Sequence, residues 1–329
     1  MKNIRWGMIG CGVVTEKKSG PGFYKAHGST LQGVFSPTIA KAEDYAKRHH
    51  IPKVYRDIEE LLEDSSIDAI YIATPPKFHK EYALACMKHG KIPYIEKPLG
   101  MNVEECKEIL KCSQELGIPA YVAYYRRGME KFEKVRSLLK ENTIGEVRAV
   151  YVRHLMEPLG SDLNSETFHW TLKASETQGG RFIDMGTHIL DMLEFLLGTI
   201  TEVTGSATNT GNLYEVEDTV VAQFKFENGI LGAGIWCYVA KENLDEISII
   251  GSKGSIRFSV MDYSAVRLKL GDEEVRFEFE EPEHVSQPYI QSIVDELNLG
   301  MQSNANLESA VNNVRVIDRI LEEYRKKYK

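Results

Sequence analysis

Short apolar runs alternate with amphipathic stretches through the first third of the chain. Residues 4–9, 31–35, 68–73, 92–96 and 120–123 are nearly continuous in apolar side chains. Parallel strands covered on both faces read this way. Between them, residues 39–50, 57–63, 80–89 and 102–116 keep their charges on one side and read as helices. Pro52, Gly90 and Gly117 stop three of these. Residues 16–28, rich in glycine and charge, read as a loop or a broken helix. Strands alternating with helices over residues 1–123 predict a doubly wound parallel sheet, an α/β domain.

From residue 124 the pattern shifts. After a helix at 129–140, strands are predicted at 147–153, 203–210, 219–226, 230–238, 246–250, 255–260, 266–270 and 275–279. Several alternate apolar and polar residues, which buries one sheet face and leaves the other to water or a partner subunit. Asn228-Gly229 signals a hairpin and 251–254 a tight turn, so the joins suit antiparallel pairing. Residues 124–329 therefore read as an α+β domain around an open, mainly antiparallel sheet. Helices follow at 289–299 and 307–324. The second carries Leu307, Val311, Val314, Ile317 and Leu321 on one stripe and is expected to pack back on the first domain. The uncovered sheet face predicts a homodimer or homotetramer.

Composition narrows the classes. The chain has 329 residues, 43% hydrophobic and 27% charged, enough for two domains of ~150 each. No apolar run reaches about 18 residues, so no membrane span is expected. The start, Met1-Lys2-Asn3-Ile4-Arg5, leads into a strand rather than a signal peptide. A net charge of −8 without a basic, aromatic-interleaved block argues against nucleic acid as partner. Five cysteines without a CxxC pair indicate neither a disulfide framework nor a zinc site, which points to the cytoplasm.

Candidate chemistry gathers at the predicted strand ends. Gly10-Cys11-Gly12-Val13-Val14-Thr15 follows the first strand. The first glycine permits a tight turn and the second lets the backbone approach a pyrophosphate. Thr15 stands where the fingerprint has its third glycine. The second strand ends in Phe35-Ser36-Pro37-Thr38, without the acid that grips a ribose diol in NAD-preferring domains. Ser36 and Thr38 offer hydrogen bonds to a 2′-phosphate but no arginine clamps it, which tilts the choice of NAD or NADP towards NADP. Thr74-Pro75-Pro76, with His79 close behind, forms a rigid shelf. It is either a support for the cofactor or a proline-started helix. Lys97 sits just past a strand's carboxyl end, where open α/β sheets bind ligands, and Pro98 ends the pairing there. It is either ligand-directed or a solvated lysine.

Tyr125 and Arg126 occupy another strand end, as hydroxyl- or phosphate-holding groups or as a polar domain junction. Asp184, His188 and Asp191 are spaced four and then three, one face if helical. They form either a ligand-facing set or a buried trio serving helix packing. No further histidine stands at metal-ligand spacing, so no metal is expected. Trp170 either lines a sugar pocket or anchors its loop.

Taken together, Gly10-Cys11-Gly12, Ala73-Thr74-Pro75-Pro76 with His79, Glu96-Lys97-Pro98, and Gly179-Gly180 followed by Asp184-x-Gly186-x-His188-x-x-Asp191 resemble the glucose–fructose oxidoreductase / inositol dehydrogenase / MocA family. The resemblance spans nearly the whole chain. It implies a dinucleotide-binding Rossmann domain and a substrate-binding, oligomer-forming sheet domain. The implied activity is NAD(P)-dependent oxidation or reduction at a hydroxyl-bearing carbon of a sugar, cyclitol or related diol. By the same resemblance Lys97 matches the active-site lysine, and Asp184 and His188 the catalytic pair. Gly10, Gly12, Thr74, Pro75, His79 and Glu96 fall at cofactor-contacting positions. A histidine, with its ordinary pKa of about 6.5, suits reversible proton transfer at neutral pH. The roles of Lys97 and His188 are exchangeable at this level. Two rivals are a trans-dihydrodiol dehydrogenase and a non-enzymatic dinucleotide-sensing regulator.

Overall fold

The computed structural model describes residues 3–173 and 179–327. The chain divides into two compact units, one of residues 1–129 with 281–311, the other of 130–280 with 312–329.

The first unit opens with β1 (Ile4–Ile9), the short helices α1 (Val13–Lys17) and α2 (Gly20–Lys25), and β2 (Ser29–Phe35). Then come α3 (Ile39–His49), β3 (Lys53–Tyr55), α4 (Ile58–Glu63), β4 (Ala69–Ile72), α5 (His79–Lys88), β5 (Ile92–Ile95), α6 (Val103–Leu116) and β6 (Tyr121–Val122). The strand order is β3-β2-β1-β4-β5-β6, with every described pair parallel. The order reverses at β1, which makes the carboxyl ends of β1 and β4 the switch point. Register keeps those ends level, with Ile9 opposite Ile72 and Ile72 opposite Ile95. Trp6, Phe23, Tyr71 and Tyr94 fill one side of the sheet, Phe23 lying 4.8 Å from Trp6 and 4.7 Å from Tyr71 between ring centroids. The region read as a loop or broken helix is the α1–α2 pair. β3, only three residues long, was not expected from the pattern.

The second unit holds α7 (Glu130–Lys140), β7 (Val147–Leu155), α8 (Thr187–Leu197) and β8 (Ile200–Thr208). It continues with β9 (Thr219–Phe226), β10 (Leu231–Cys237), β11 (Leu244–Gly251), β12 (Gly254–Phe258), β13 (Val266–Leu270) and β14 (Glu273–Phe277). These eight strands form one sheet in the order β14-β13-β12-β11-β7-β10-β9-β8. All pairs are antiparallel except β7 with β10. The Asn228-Gly229 hairpin forms as expected, Gly229 taking φ 85°. The chain returns to the first unit through α9 (Gln287–Leu299). Of α10 (Leu307–Lys327), residues up to Val311 belong to the first unit and the rest to the second.

Candidate functional site

In the first unit the candidate groups share the carboxyl edge of the sheet. Gly10 N–H donates to Phe35 O at 2.8 Å, Ala73 N–H to Ile9 O at 2.8 Å, and Glu96 N–H to Ile72 O at 3.0 Å. These bonds set Gly10, Ser36, Thr74 and Lys97 along one line of strand ends. Gly10 has φ +98°, and a Cβ there would stand 2.5 Å from Ala73 O, so only glycine fits. Gly12 has an ordinary extended backbone, and nothing lies within 4 Å of its ideal Cβ position. Val13 beside it is 91% exposed, an apolar side chain left on the surface of the turn. Val14 is half-buried, and burial pushes the Cys11 thiol up to about 12. Thr15 is fully buried, its Oγ1 donating to Gly12 O at 2.7 Å. Gly20, further along, is closely packed, and a Cβ there would stand 2.1 Å from the Tyr45 hydroxyl and 2.2 Å from Thr15 O.

The Ser36 Oγ accepts from Thr38 N–H at 3.3 Å and is mostly buried. At the next strand end Thr74 Oγ1 is buried with no hydrogen-bond partner among the described residues. Pro75 is extended and Pro76 opens a short 3₁₀ turn. His79 is fully buried, its Nδ1 2.8 Å from Pro98 O and its Nε2 2.8 Å from Thr74 O. It therefore ties the end of β4 to the end of β5, and burial lowers its pKa. Glu96 Oε1 accepts from the Tyr71 hydroxyl at 2.6 Å, and Tyr71 meets Ser19 Oγ at 2.7 Å. Desolvation raises the Glu96 carboxyl above its usual range. Lys97 follows, half-buried, with a cis bond to Pro98. Arg126 donates to the Tyr125 hydroxyl at 2.7 Å and stacks over its ring, so the two form one unit beyond β6.

In the second unit Asp184 lies on a π-helical turn, Phe182–Gly186, that runs into α8. The expectation of one α-helical face through Asp184, His188 and Asp191 is corrected here: the helix type changes between Asp184 and His188. Single π turns inside helices recur at functional sites. His188 and Asp191 are buried on α8, and Asp184 is half-buried. Trp170 starts a 3₁₀ turn, and its side chain lies outside the described residues.

The same unit contains groups that the sequence reading missed. His154 Nδ1 lies 3.1 Å from Asp245 Oδ1, and its Nε2 is buried without a partner among the described residues. Burial raises the Asp245 carboxyl, but hydrogen bonds from His154 and Ser259 outweigh it and hold the group below its usual range. The Tyr238 ring stands 5.5 Å from His154, and its hydroxyl is also buried and unpartnered among the described residues. Burial and then the charges of Glu217 and Asp184 drive the Tyr238 phenol far up. Strand parity was the available signal. Val150, Val152 and His154 share the buried face of β7.

Residues 4–124 match the oxidoreductase family with the NAD-binding Rossmann fold, and 132–257 match the GFO/IDH/MocA C-terminal domain. An oxidoreductase of Formosa agariphila is 32% identical over 96% of this chain and 97% of its own length. The chain belongs to the Gfo/Idh/MocA family of oxidoreductases. Within this family a trans-1,2-dihydrobenzene-1,2-diol dehydrogenase of Bos taurus is 26% identical over 83% of this chain and 79% of its own. A levoglucosan dehydrogenase, solved with NADH and levoglucosan, has the same fold at TM-score 0.86 and 20% identity, covering 99% of this chain and 98% of that one. A dinucleotide fits what the Gfo/Idh/MocA chain presents. Gly12 leaves its approach open, Val13 offers an apolar surface, and Thr74 Oγ1 is a buried polar atom in need of a partner. Among the described residues no helix is long and apolar enough to cross a membrane.

Proposed function

We propose that this oxidoreductase transfers hydride between a nicotinamide dinucleotide and a hydroxyl-bearing carbon of a sugar, cyclitol or related diol. The carrying observation is the pair of buried polar atoms without a partner among the described residues, His154 Nε2 and Tyr238 Oη, in the unit that holds Asp184. Buried polar groups cost free energy unless a ligand pairs them, and a substrate with several hydroxyls supplies both donors and acceptors. When bound, the dinucleotide supplies the hydride acceptor or donor. Gly10, Cys11, Gly12, Val13, Val14, Ser36, Thr74, Pro75 and Glu96 would hold it, His79 fixing the shelf beneath. His188 takes the hydroxyl proton in oxidation and returns it in reduction. Asp184 orients the proton-transfer group, and Lys97 polarises the reacting oxygen. Tyr125 and Arg126 contact substrate hydroxyls.

A second reading, oxidation of aromatic trans-dihydrodiols, is supported by the cattle relative's name. The regulator alternative is set aside because the relatives are named enzymes. The open face of the second sheet covers that of a second copy, giving a dimer or tetramer, and five free thiols suit the reducing cytoplasm. The test is a screen of sugars, cyclitols and diols with NAD⁺ and NADP⁺, following the absorbance of reduced nicotinamide. Turnover of polyols or sugars is expected, and turnover of aromatic dihydrodiols alone favours the second reading. On the active substrate, Lys97→Ala and His188→Ala should each lower kcat by about 10²–10⁴-fold. Cofactor affinity should stay within about tenfold, ~1.4 kcal/mol. Retained turnover with a lowered melting temperature overturns these roles.

A further inference from the structure

The π turn bearing Asp184 is fastened at both ends by buried polar side chains from distant parts of the second unit. At its start Gly180 N–H donates to Glu217 Oε1 at 2.6 Å, and Glu217 is 1% exposed. The glycines before the turn are required by this approach: a Cβ on Gly180 would stand 2.6 Å from Glu217 O, and one on Gly179 2.9 Å from Glu217 Oε1. At its end the fully buried carboxamide of Asn313, on α10, brackets Thr187. Thr187 Oγ1 donates to Asn313 Oδ1 at 2.8 Å, and Asn313 Nδ2 donates to Thr187 O at 3.1 Å. Between these pins Phe182 packs edge-on against Trp236 with centroids 5.1 Å apart, and Gly186 leaves room for the Phe182 ring.

We propose that Glu217 and Asn313 are positioning residues that fix Asp184 relative to His188 by pinning the two ends of the π turn. This rests on the reading of Asp184 and His188 as the proton-transfer pair. A π turn is rare, and its five-residue spacing sets where Asp184 projects relative to the α-helix that follows, so movement of either end would shift Asp184 relative to His188. Misplacement of a reacting group by about 1 Å costs on the order of 10² in rate. Glu217 Oε2 has no partner among the described residues. Burial, opposed by the Gly180 N–H and the Arg325 charge and assisted by Asp218, raises its carboxyl to about 7. Tyr214 and Tyr238 are the other titratable groups whose ionisation it opposes. The N-terminal pin therefore tightens as Glu217 ionises, since a carboxylate accepts the Gly180 N–H more strongly than a carboxylic acid does.

The test compares Glu217→Ala, Glu217→Gln, Asn313→Ala and the milder Thr187→Val with His188→Ala, on the active substrate of the screen above. Glu217→Ala and Asn313→Ala should lower kcat by about 10²-fold with KM and cofactor affinity nearly unchanged. Glu217→Gln keeps the acceptor for Gly180 and should restore most of the kcat that Glu217→Ala loses. Without substrate, hydrogen exchange of the peptide 182–190 should accelerate in the alanine variants and in Thr187→Val, while peptides of the first unit exchange as in the wild type. Wild-type turnover and exchange in these variants, with His188→Ala inactive, overturns the pinning. Full activity of His188→Ala overturns the proton-transfer reading instead.

Discussion

Along β4 every residue is buried, whereas along β9 burial alternates, Val220, Ala222, Phe224 and Phe226 inward and Val221, Gln223 and Lys225 outward. The parallel sheet is covered on both faces, so its chemistry is confined to strand ends, where Gly10, Ser36, Thr74 and Lys97 stand. The second sheet keeps one face for the interior, where His154 and Tyr238 lie. Its other face is exposed and apolar for a surface, with Tyr151 at 52% and Leu231 at 60%. A covered sheet thus offers an edge for a cofactor's backbone contacts, while a half-covered one offers side chains inward and an apolar surface outward.

Truncation sharpens this contrast most strongly. Ile70→Ala in β4 should cost ~2–5 kcal/mol, because the cavity has covered walls on both sides. Gln223→Ala, on the outward face of β9 but outside its apolar groove, should stay within about 0.5 kcal/mol. Melting temperatures of both variants check this, and equal losses would dissolve the distinction.

The two glycines of the nucleotide turn separate fold from binding. Gly10→Ala places a side chain at φ +98° against the Ala73 carbonyl, and should cost about 1–3 kcal/mol as well as cofactor binding. A Cβ at Gly12 has nothing within 4 Å, so the melting temperature of Gly12→Val should hold while dinucleotide affinity falls at least about tenfold, ~1.4 kcal/mol. Calorimetry showing native affinity in Gly12→Val would refute the placement.

How far the sequence revealed all this follows from range. The strands of the first unit were legible because buried parallel strands are short apolar runs, and the edge chemistry because glycine and proline mark strand ends. Lys53–Tyr55 escaped because three residues show no period. The π turn escaped because spacing arguments assume 3.6 residues per turn, which five residues of 182–186 do not follow. Glu217–Gly180 and His154–Asp245 pair across 37 and 91 residues, and no local pattern encodes such partners.

The outward face of the second sheet should yield a smaller effect on stability than on assembly. Tyr151→Lys combined with Ile235→Lys puts two charges into a groove already lined by Arg153, Arg257 and Lys269 and holding one acid, Glu246, that is paired with Arg153. Light scattering should show a dimer or tetramer for the wild type and a monomer for the variant, with only a few degrees lost in melting temperature. A wild-type monomer at micromolar concentration would leave the outward face without its partner copy.

The smallest expected effect concerns which dinucleotide the edge prefers. Ser36 stands at the end of β2, where an acid would accept hydrogen bonds from a ribose diol, and its Oγ already receives Thr38 N–H. The first turn of α3 carries no acid, and Lys41 on it is exposed. A 2′-phosphate placed there would meet no acid in the first turn of α3 and could reach the charge of Lys41, so NADP should bind at least as tightly as NAD. Ser36→Asp tests this without disturbing the fold, because an aspartate oxygen can accept the same Thr38 N–H. The new carboxylate repels a 2′-phosphate and accepts from a free 2′-hydroxyl, which should move the preference towards NAD by about tenfold, ~1.4 kcal/mol. Because the phosphate effect is electrostatic and near the surface, the shift should shrink as salt rises. Wild-type binding clearly tighter for NAD, or a Ser36→Asp preference unmoved at low salt, would show that β2 does not set the choice.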